Sequence, residues 1–306
     1  MTSAPAPAPA QVELSRPGKV LFPGDGITKG DLAGYYRQAA ARMLPYLRGR
    51  PLALARFPDG ITGQRIFQKN VSPHSPDWLP RTEVGKRDGT VCQVIAGNEA
   101  TLVYLANQAC IELHPFLSKA GRLDRPDQFV LDLDPPGAGH FRQACQAALA
   151  ARDLLEDELG LTTFVMTTGG KGVHVRVPLA AGEEFGQARE FGHALAALLA
   201  GRHPGLITAE QRRERRGDLV YADIMRNSYA QTAVAPFSVR ARPGATVAAP
   251  LDWSEVTDRG LRPDRFTLRT IGDRLAATSG RSDPWAGIRR RRYSLGRAGR
   301  RLARLG

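Results

Sequence analysis

Apolar residues recur along this chain with two different periods, and each period predicts a different kind of element. A spacing of three to four residues indicates amphipathic helices, whereas alternation or a short apolar run indicates strands. The clearest helix start is Thr28-Lys29-Gly30-Asp31, a capping box of the T-x-x-D kind ahead of apolar positions through Leu44. The predicted helices cover 30–44, 98–108, 140–159, 184–201, a short stretch near 253, and 266–277; the predicted strands cover 18–23, 51–57, 90–95, 111–114, 129–136, 164–168, 172–178, 219–225 and 232–241. A strand-rich middle flanked by helices predicts a mixed α+β fold.

The predicted strand at 129–136, with the sequence FVLDLDPP, alternates between apolar and acidic side chains. Residues i and i+2 of a strand point to the same face, so Asp132 and Asp134 project together while Leu131 and Leu133 enter a core. The two prolines cannot continue a hydrogen-bonded ladder and therefore end the strand. Paired carboxylates repel each other unless a cation lies between them, and such hard oxygen ligands suit Mg²⁺ or Mn²⁺. In the alternative interpretation, one Asp caps the following helix and the other faces water.

Further chemistry-bearing stretches follow this strand. The turn 167–174, TTGGKGVH, resembles phosphate-cradling loops because glycines let backbone N–H groups approach oxygen atoms closely, although a plain hairpin explains it equally well. It is not a P-loop, since G-x-x-x-x-G-K-[ST] is absent and a strand follows it. The strand 219–225 carries a third acid, Asp223, with Arg226 and Asn227 directly after it.

Two aromatic or imidazole positions earlier in the chain have competing interpretations. The segment Ile66-Phe67-Gln68-Lys69-Asn70 places a ring two residues from a cation, a pair that can stack a base and hold a phosphate. Phe67 is alternatively a core residue. His114 ends an alternating run just before a proline, and it is either a hydrogen-bonded structural residue or a functional one.

Length and composition set limits on the class of protein. A chain of 306 residues suggests one large domain or two smaller ones, and 42% hydrophobic content is ordinary for a globular protein. No apolar run is long enough for a membrane span, and the opening MTSAPAPAPA predicts a flexible leader rather than a signal peptide. Cys92, Cys110 and Cys145 form no C-x-x-C pair, which indicates buried thiols in a reducing cytoplasm rather than a zinc site.

The net charge of +13 indicates a polyanionic partner. The segment 289–304 carries eight arginines and no acid, and it is either a non-specific phosphate clamp or a solvated end. The chain has six lysines against thirty-seven arginines, and four of the six lie in loops flanked by glycine or asparagine. A compact ammonium in such a loop suits a phosphate held close to the backbone. The four are Lys19, Lys29, Lys69 and Lys171.

Six motifs follow one another along the chain: GKVLFP, TKGD, IFQKN, ANQACIELH, FVLDLDPP and MRN…TAVAPFSVRARPGA. Together they resemble the polymerase domain of bacterial DNA ligase D, the end-joining polymerase of double-strand break repair and a member of the archaeo-eukaryotic primase superfamily. The resemblance runs from Gly18 to Ala277. Motifs of the family's ligase and nuclease modules are not visible, so a stand-alone polymerase is expected. The chain departs from the family at A-D-I-M-R-N, where D-Y-x-x-N is usual, and at Thr168, where serine is frequent.

The resemblance implies a fold, a domain organisation and an activity. The fold expected is α+β, an archaeo-eukaryotic primase-type core of two packed sheet-and-helix modules with the catalytic cleft between them. A flexible Pro/Ala leader at 1–12, a primase-polymerase domain at 13–280 and a basic arginine-rich tail at 281–306 are expected. The implied activity is two-metal addition of nucleotides, with ribonucleotides preferred, to 3′ ends at gaps or broken DNA ends in non-homologous end joining. A cytoplasmic, nucleoid-associated protein is expected.

The resemblance also implies a role for each candidate residue. Two divalent ions, Mn²⁺ or Mg²⁺, are expected with a nucleoside triphosphate substrate. The catalytic and metal-binding set is Asp132, Asp134 and Asp223. The nucleotide-binding set is Thr168, Lys171, His174, Arg226, Arg240 and, near the sugar, His114. The DNA-binding set is Lys19 and Lys29 at the 5′-phosphate of a gap, where free N–H groups of the helix start would assist, and Phe67 and Lys69 at the template. Lys19 and Lys29 are alternatively solvated surface cations. The expected partners are double-stranded DNA ends, gapped DNA, a separately encoded DNA ligase and an end-binding protein, and no membrane.

Two other functions share part of this pattern. A Mn²⁺-dependent glycosyltransferase also binds its nucleotide sugar through D-x-D, but it needs neither a third acid followed by R-N nor alternating Arg240 and Arg242. A non-catalytic DNA-end-bridging protein would use the basic loops alone, and the three intact acids argue against it. A DNA-repair polymerase is therefore the expected function.

Overall fold

The computed structural model describes residues 8–277 and 283–306. Residues 1–7 of the expected leader and residues 281 and 282 of the expected tail lie outside the described residues. In chain order, the strands are β1 (Val20–Phe22), β2 (Ile27–Thr28), β3 (Leu52–Arg56), β4 (Ile66–Gln68), β5 (Arg81–Lys86), β6 (Gly89–Val94), β7 (Cys110–Pro115), β8 (Ser118–Lys119), β9 (Arg122–Pro126), β10 (Gln128–Asp134), β11 (Phe164–Thr167), β12 (Val173–Pro178), β13 (Ile207–Thr208), β14 (Val220–Asp223) and β15 (Pro250–Leu251). The α-helices are α1 (Lys29–Leu47), α2 (Glu99–Asn107), α3 (Phe141–Asp153), α4 (Phe185–Arg202), α5 (Trp253–Thr257), α6 (Gly272–Ala277) and α7 (Leu295–Leu302). The expected mixture of sheets and helices is confirmed.

The chain forms two compact units, each assembled from separate stretches of sequence. The first unit takes in the described residues up to Gly121, together with Thr232–Ala248 and Phe266–Leu275. The second unit takes in Arg122–Gln231, Ala249–Arg265 and the described residues from Ala276 onward. Each unit has its own sheet and its own helices, and each is described by itself below.

The first unit is built on helix α1 and a three-stranded antiparallel sheet in the order β4-β3-β7. The predicted capping box begins the helix, since Asp31 N–H donates to Thr28 Oγ1 and Thr28 N–H donates to Asp31 Oδ2. Helix α2 packs against α1. The buried hydroxyl of Tyr36, on α1, donates to Ile111 O of strand β7 at 2.7 Å. This contact ties α1 to the strand that carries the candidate side chain of His114.

The second unit centres on a six-stranded sheet in the order β13-β14-β10-β12-β11-β15. Neighbouring strands are antiparallel except β13 and β14. The alternation predicted for β10 is confirmed, because Leu131 and Leu133 are fully buried while Asp132 and Asp134 keep 14% and 35% of their side chains exposed. The strand ends at Asp134, directly before the two prolines, as predicted. Helix α3 packs on β10 and β12.

The run predicted as a strand at 232–241 does not join a ladder along its length. It makes isolated bridges, from Thr232 to Phe116 and from Val239 to Val247. Two features of its sequence interrupt the pairing. Pro236 has no N–H to donate, and Phe237 next to it adopts a positive φ of 66°.

The helix predicted at 266–277 is shorter in the structure, where α6 begins at Gly272. Residues 266–268 instead pair with 245–247, since Val247 N–H donates to Phe266 O at 2.8 Å and Leu268 N–H donates to Ala245 O at 2.9 Å, and side chains help to close the turn that follows. Thr267 N–H donates to Thr270 Oγ1 at 3.1 Å, and Thr270 N–H donates to Thr267 Oγ1 at 3.2 Å. Across the described ranges, no helix combines the length and the apolar character that crossing a membrane requires.

Asn227 joins the central strand β10 to the turn that follows β14. Strand β14 pairs with β10 only opposite residues 132–134, so the same edge of β10 needs another partner at Val130. Val130 N–H donates to Asn227 Oδ1 at 2.8 Å, and Asn227 Nδ2 donates to Val130 O at 2.7 Å and to Ile224 O at 2.8 Å. The fully buried amide of Asn227 therefore takes the place of a ladder residue and holds the turn beside β10.

We expect Asn227→Ala to lower the free energy of unfolding by about 2–3 kcal/mol, because the buried N–H and C=O of Val130 lose their partner. Urea unfolding followed by circular dichroism measures this loss. The control is Gln231→Ala, which removes an exposed amide four residues further on. Equal losses in the two variants would show that the Asn227 hydrogen bonds do not stabilise the fold.

Candidate active site

Three candidate side chains lie in a row across the centre of the six-stranded sheet. The strand register pairs Asp132 of β10 with His174 of β12 on one side and with Asp223 of β14 on the other. Directly opposed residues on neighbouring strands have Cβ atoms about 5 Å apart and share a face of the sheet. Asp134 shares that face because it lies two residues along β10. The sheet thus brings the three candidate acids together.

Asp132 is a buried carboxylate between two basic side chains. His174 Nε2 lies 3.5 Å from its Oδ1, and Arg226 Nε lies 3.6 Å from its Oδ2. Burial by itself would raise the pKa of Asp132, but His174 and Arg226 outweigh burial and hold this pKa below its usual value. Burial lowers the pKa of His174, and the charges of Arg176 and Arg226 add to burial, so that together they outweigh the opposing effect of Asp132. At neutral pH the site therefore holds an ionised Asp132 beside a neutral His174.

Asp134, at the end of β10, is flanked by positive charge. Lys171 Nζ lies 3.1 Å from Asp134 Oδ1 and donates to Pro135 O at 2.6 Å. Arg216 Nη1 lies 3.9 Å from Asp134 Oδ2, and its guanidinium lies 3.7 Å from the centre of the Tyr221 ring. A lysine and an arginine from two different loops therefore converge on the more exposed acid.

The turn that carries Lys171 is a closed hairpin between β11 and β12. Thr168 Oγ1 donates to Gly172 O at 3.0 Å and accepts from the N–H groups of Gly170 and Gly172, each at 3.3 Å. A side chain at Gly172 would meet Leu133 O at 2.6 Å, so only glycine lets the turn lie against β10. The Thr168 hydroxyl thus shapes the turn, and Lys171 is the turn's side chain that reaches an acid.

The three carboxylates form an oxygen donor set of the kind that hard divalent ions use. Burial raises the pKa of Asp223, and the charges of Asp132 and Asp134 raise it further. The Met225 N–H, which donates to Asp223 Oδ1 at 2.7 Å, lowers this pKa but does not outweigh them. A cation between the carboxylates would reduce their mutual repulsion. Within 8–277 and 283–306, no three acid, histidine or cysteine side chains already form a metal cage. Asp132 and Asp134 instead contact basic side chains, and a bound divalent ion would replace these side chains as the partner of the carboxylates.

A second polar cluster lies in the first unit, around Glu112 of β7. Glu112 Oε2 accepts from His114 Nε2 at 3.0 Å, and Oε1 accepts from Arg240 Nε and from Ala241 N–H, each at 3.0 Å. Arg65 Nη2 lies 3.9 Å from Oε2, and only 7% of the Glu112 side chain is exposed. We call Arg65, Glu112, His114 and Arg240 the Glu112 cluster.

The Glu112 cluster holds an ionised acid beside a neutral imidazole. Burial would raise the pKa of Glu112, but the hydrogen bond from His114 and the charge of Arg240 outweigh it and hold this pKa far below its usual value. Burial lowers the pKa of His114, and the charges of Arg240 and Arg65 lower it further. Glu112 raises this pKa, but the lowering effects are larger. An ionised carboxylate can only accept, so His114 carries its proton on Nε2 and presents Nδ1 as an acceptor.

Phe67 lies beside the Glu112 cluster with its ring exposed. The residue is 46% exposed, which excludes the core interpretation. Its ring centre lies 6.0 Å from that of His114 in an edge-on arrangement, and the Arg65 guanidinium lies 5.2 Å from it. Lys69 is exposed as well, but no described contact joins it to the cluster. The structure therefore brings Phe67, His114 and Arg240 together and leaves Lys69 apart.

Lys19 and Lys29 lie at the beginning of helix α1. Lys29 is buried, and its Nζ donates to Ser15 O, to Ser15 Oγ at 3.1 Å and to Asn107 Oδ1 at 3.3 Å. Burial lowers the pKa of Lys29, and the charges of Arg16 and Lys19 lower it further. Three cations therefore lie at one corner of the first unit, where Lys19 Nζ already pairs with Asp59 Oδ1 at 3.2 Å, and a further anion would stabilise the arrangement.

The expectation that the helix start offers free N–H groups to a phosphate is wrong. Lys29 N–H donates to Lys19 O and Gly30 N–H donates to Pro17 O, both at 2.8 Å, and the Thr28 side chain takes the next N–H group. A phosphate contact at this corner therefore rests on the side-chain charges, and it stays a prediction.

Three side chains of these clusters were not among the candidates from the sequence: Glu112, Arg65 and Arg216. The motif ANQACIELH did contain a signal for Glu112, because alternation places it on the same strand face as His114. Arg65 and Arg216 have no comparable signal, since each meets an acid that is distant in sequence.

Known proteins of one family match this chain. The family model for LigD, primase-polymerase domain, matches residues 28–285. The multifunctional non-homologous end joining protein LigD of Mycolicibacterium smegmatis is 35% identical over 273 residues, which is 87% of this chain and 36% of that protein. The bifunctional non-homologous end joining protein LigD of Bacillus subtilis is 32% identical over 271 residues, which is 88% of this chain and 43% of that protein. The polymerase domain from Mycobacterium tuberculosis ligase D in complex with DNA has a TM-score of 0.81 and 33% identity, over 87% of this chain and 94% of that one.

The mixed α/β fold of this chain, with three acids on one sheet face, therefore places it in the primase-polymerase class. More narrowly, the chain belongs to the LigD primase-polymerase domain family, as the resemblance implied. The chain spans 36% and 43% of the lengths of the two curated relatives, so it corresponds to one part of each.

The Glu112 cluster leads to a prediction about stability and pH. Because the folded-state pKa of Glu112 is lowered, its ionised form stabilises the fold above its ordinary pKa of 4.5, and this contribution is lost as the pH falls below that value. We expect Glu112→Gln to cost about 3 kcal/mol at pH 7, where Arg240 loses its buried counter-ion, with the cost unchanged down to pH 4.5 and smaller below that pH.

Urea unfolding of the wild type and of Glu112→Gln, repeated between pH 7 and pH 3.5, measures the gap in stability. Glu83→Gln, an exposed acid on strand β5, is the matched control and should show no gap at any pH. A gap that stays constant as the pH falls from 4.5 to 3.5 would mean that the charge of Glu112 does not stabilise the folded state.

Proposed function

We propose that this chain is a DNA-directed nucleotidyltransferase of non-homologous end joining, which adds nucleotides to 3′ ends at gaps and broken DNA ends. The observation that carries the proposal is the row of Asp223, Asp132 and His174 across one sheet face, with Asp134 beside it. Membership of the LigD primase-polymerase domain family supports the same chemistry.

The acids and the basic side chains of the second unit have complementary roles in this proposal. Asp132, Asp134 and Asp223 would hold two divalent ions, Mg²⁺ or Mn²⁺, which when bound lower the pKa of the primer 3′-hydroxyl and neutralise the triphosphate. Lys171 contacts Asp134, and Arg226 contacts Asp132. When the acids hold metal ions instead, the charges of these two side chains would suit the phosphate oxygens of the nucleotide. His174 donates from Nε2 towards Asp132 and orients that carboxylate.

The first unit carries groups suited to a sugar hydroxyl, to a phosphate and to a template base. The neutral His114 presents Nδ1 as an acceptor, which suits a sugar hydroxyl and agrees with a preference for ribonucleotides. Arg240 suits phosphate oxygens, and the exposed ring of Phe67 suits a stacked base, with Lys69 two residues away for the backbone. Thr168 supports this arrangement indirectly by closing the turn that carries Lys171.

Duplex DNA with a gap or a broken end is the proposed substrate, together with nucleoside triphosphates. The solved relative from Mycobacterium tuberculosis is in complex with DNA, which supports this choice for the present chain. A separately encoded DNA ligase and an end-binding protein are the proposed partners in repair. If the wild type retained gapped DNA and added no nucleotide to it in Mn²⁺, it would be an end-bridging protein instead.

The first test is Asp132→Asn, which keeps the shape of the side chain and removes its charge. We expect nucleotide addition to a 5′-phosphorylated gapped duplex in Mn²⁺ to fall by at least about 100-fold, since the carboxylate no longer serves the reacting groups. DNA affinity in a gel-shift assay should stay within about twofold, because lost negative charge does not weaken phosphate binding.

Asp218→Asn is the matched control, since Asp218 is an exposed acid of the same unit with 89% of its side chain exposed. It should extend primers like the wild type. An Asp132→Asn protein that extends at the wild-type rate would remove the proposed role of the acid row.

The second test concerns the 5′-phosphate at the far side of a gap. Lys19→Ala combined with Lys29→Ala should reduce the preference for 5′-phosphate over 5′-hydroxyl gaps by about tenfold, because two charged phosphate contacts are lost. Extension of a simple primer-template should change little, since it offers no such phosphate. The measurement is the ratio of extension rates on the two gapped substrates.

The control pair is Lys86→Ala with Lys119→Ala, which removes two exposed lysines from the same unit. Thermal unfolding of both double variants shows whether the loss of the buried Lys29 contacts weakens the fold. If the Lys19 and Lys29 variant keeps the wild-type ratio, the phosphate is bound elsewhere.

A further inference from the structure

The arginine-rich segment 289–304, which we call the arginine segment, lies on the second unit and is anchored to it. Just before the segment, Trp285 is buried and its Nε1 donates to Val165 O of β11 at 2.9 Å. Within it, Tyr293 N–H donates to Pro178 O at 3.1 Å, and the Tyr293 hydroxyl lies 2.6 Å from Thr162 Oγ1. These contacts hold the backbone on both sides of the run of four arginines.

Helix α7 gives the second half of the arginine segment a buried face and a charged face. Leu295, Ala298 and Leu302 are buried, and the helix packs against α4. The arginines of this half are all exposed, and they recur at intervals of three or four residues on the opposite face. They are Arg297, Arg300, Arg301 and Arg304.

The eight arginines of the segment are exposed, and in the part of the chain that the structure describes none of them forms an ion pair with an acid. Two of them have backbone contacts: Arg292 donates to Ile288 O, and Arg301 donates to Leu159 O at 3.1 Å. A folded surface therefore concentrates positive charge that the protein itself does not neutralise.

We propose that the arginine segment is a second DNA-binding surface, which contacts the phosphate backbone of duplex DNA without reading its sequence. The residues matched by the family model end at 285, so this surface lies outside the part that defines the family. The proposal concerns binding alone and does not depend on nucleotide addition.

Two properties favour DNA over an acidic protein as the ligand. A protein interface needs an apolar or aromatic centre surrounded by charge, and Leu305 is the large apolar side chain exposed near this surface. Duplex DNA instead presents about one charge per 1.7 Å of its axis, so a charged helix about 12 Å long meets several phosphates. Because packing already orders the backbone, binding orders only the arginine side chains.

The test measures affinity for a blunt duplex with 5′-hydroxyl ends, in EDTA and without nucleotide, by fluorescence anisotropy over a series of salt concentrations. These conditions leave out contributions from metal ions and from a 5′-phosphate. The first variant combines Arg297→Gln, Arg300→Gln and Arg304→Gln. The second combines Arg289→Gln, Arg290→Gln and Arg291→Gln. Arg292 and Arg301 are kept because their side chains bond the backbone.

The control variant combines Arg48→Gln, Arg122→Gln and Arg259→Gln, three exposed arginines dispersed over the chain. It removes the same net charge as each test variant. If the arginine segment binds phosphates, each lost contact lowers the slope of log affinity against log salt by about 0.9, so a test variant loses up to about 2.7. The control should change the slope by less than one contact.

Each outcome decides the proposal. A reduced slope in either test variant, with an unfolding temperature like that of the wild type, supports the DNA-binding surface. Slopes equal to that of the control in both test variants overturn it, and an acidic protein would then be the ligand to seek. Because Arg289, Arg290 and Arg291 lie outside helix α7, the second variant gives the answer even if the first lowers the stability of the helix.

Discussion

The second unit depends on keeping a buried carboxylate ionised at the centre of its sheet. An uncompensated charge in this position would cost several kcal/mol or bind a proton instead. The compensation for Asp132 comes from His174 on one neighbouring strand and from Arg226 in the turn after the other. Both strands must therefore stand in register with β10 for Asp132 to stay ionised. Two contacts hold that register: the close approach of Gly172 to β10, and the hydrogen bonds of the buried Asn227 side-chain amide to Val130.

The same physical principle gives a different result in the first unit. Glu112 is also buried and ionised, with a histidine and an arginine as its partners. Its role is to hold other groups, because it fixes the proton of His114 on Nε2 and holds the guanidinium of Arg240. In one unit the carboxylate is the proposed metal ligand, and in the other the carboxylate supports neighbouring side chains. Both carboxylates, Asp132 and Glu112, are buried beside a histidine and an arginine, so this charge pattern alone does not distinguish the two roles.

Much of the candidate site was predictable because it follows from short-range periodicity. The alternation in FVLDLDPP assigns Asp132 and Asp134 to one face and the leucines to the other, whatever the neighbouring strands are. The capping box at Thr28 and the helix cap at Asn98 are local in the same sense. Prediction failed where a side chain or a backbone break competes with the apolar pattern, as the paired Thr267 and Thr270 do before α6. It also passed over Glu112, whose partners Arg65 and Arg240 come from other stretches of the chain.

The sequence by itself determined which residues could share a face, where β10 had to stop and how much positive charge the protein carries. Only the tertiary structure decided which strands stand beside β10, and hence that Asp223 and His174 flank Asp132. It also decided that the arginine segment is folded, since Leu295 and Leu302 are buried in the second unit. The physical reason is the range of the interactions. Alternation, capping and proline geometry act over a few residues, whereas strand register, charge pairing and burial depend on groups far apart in the chain.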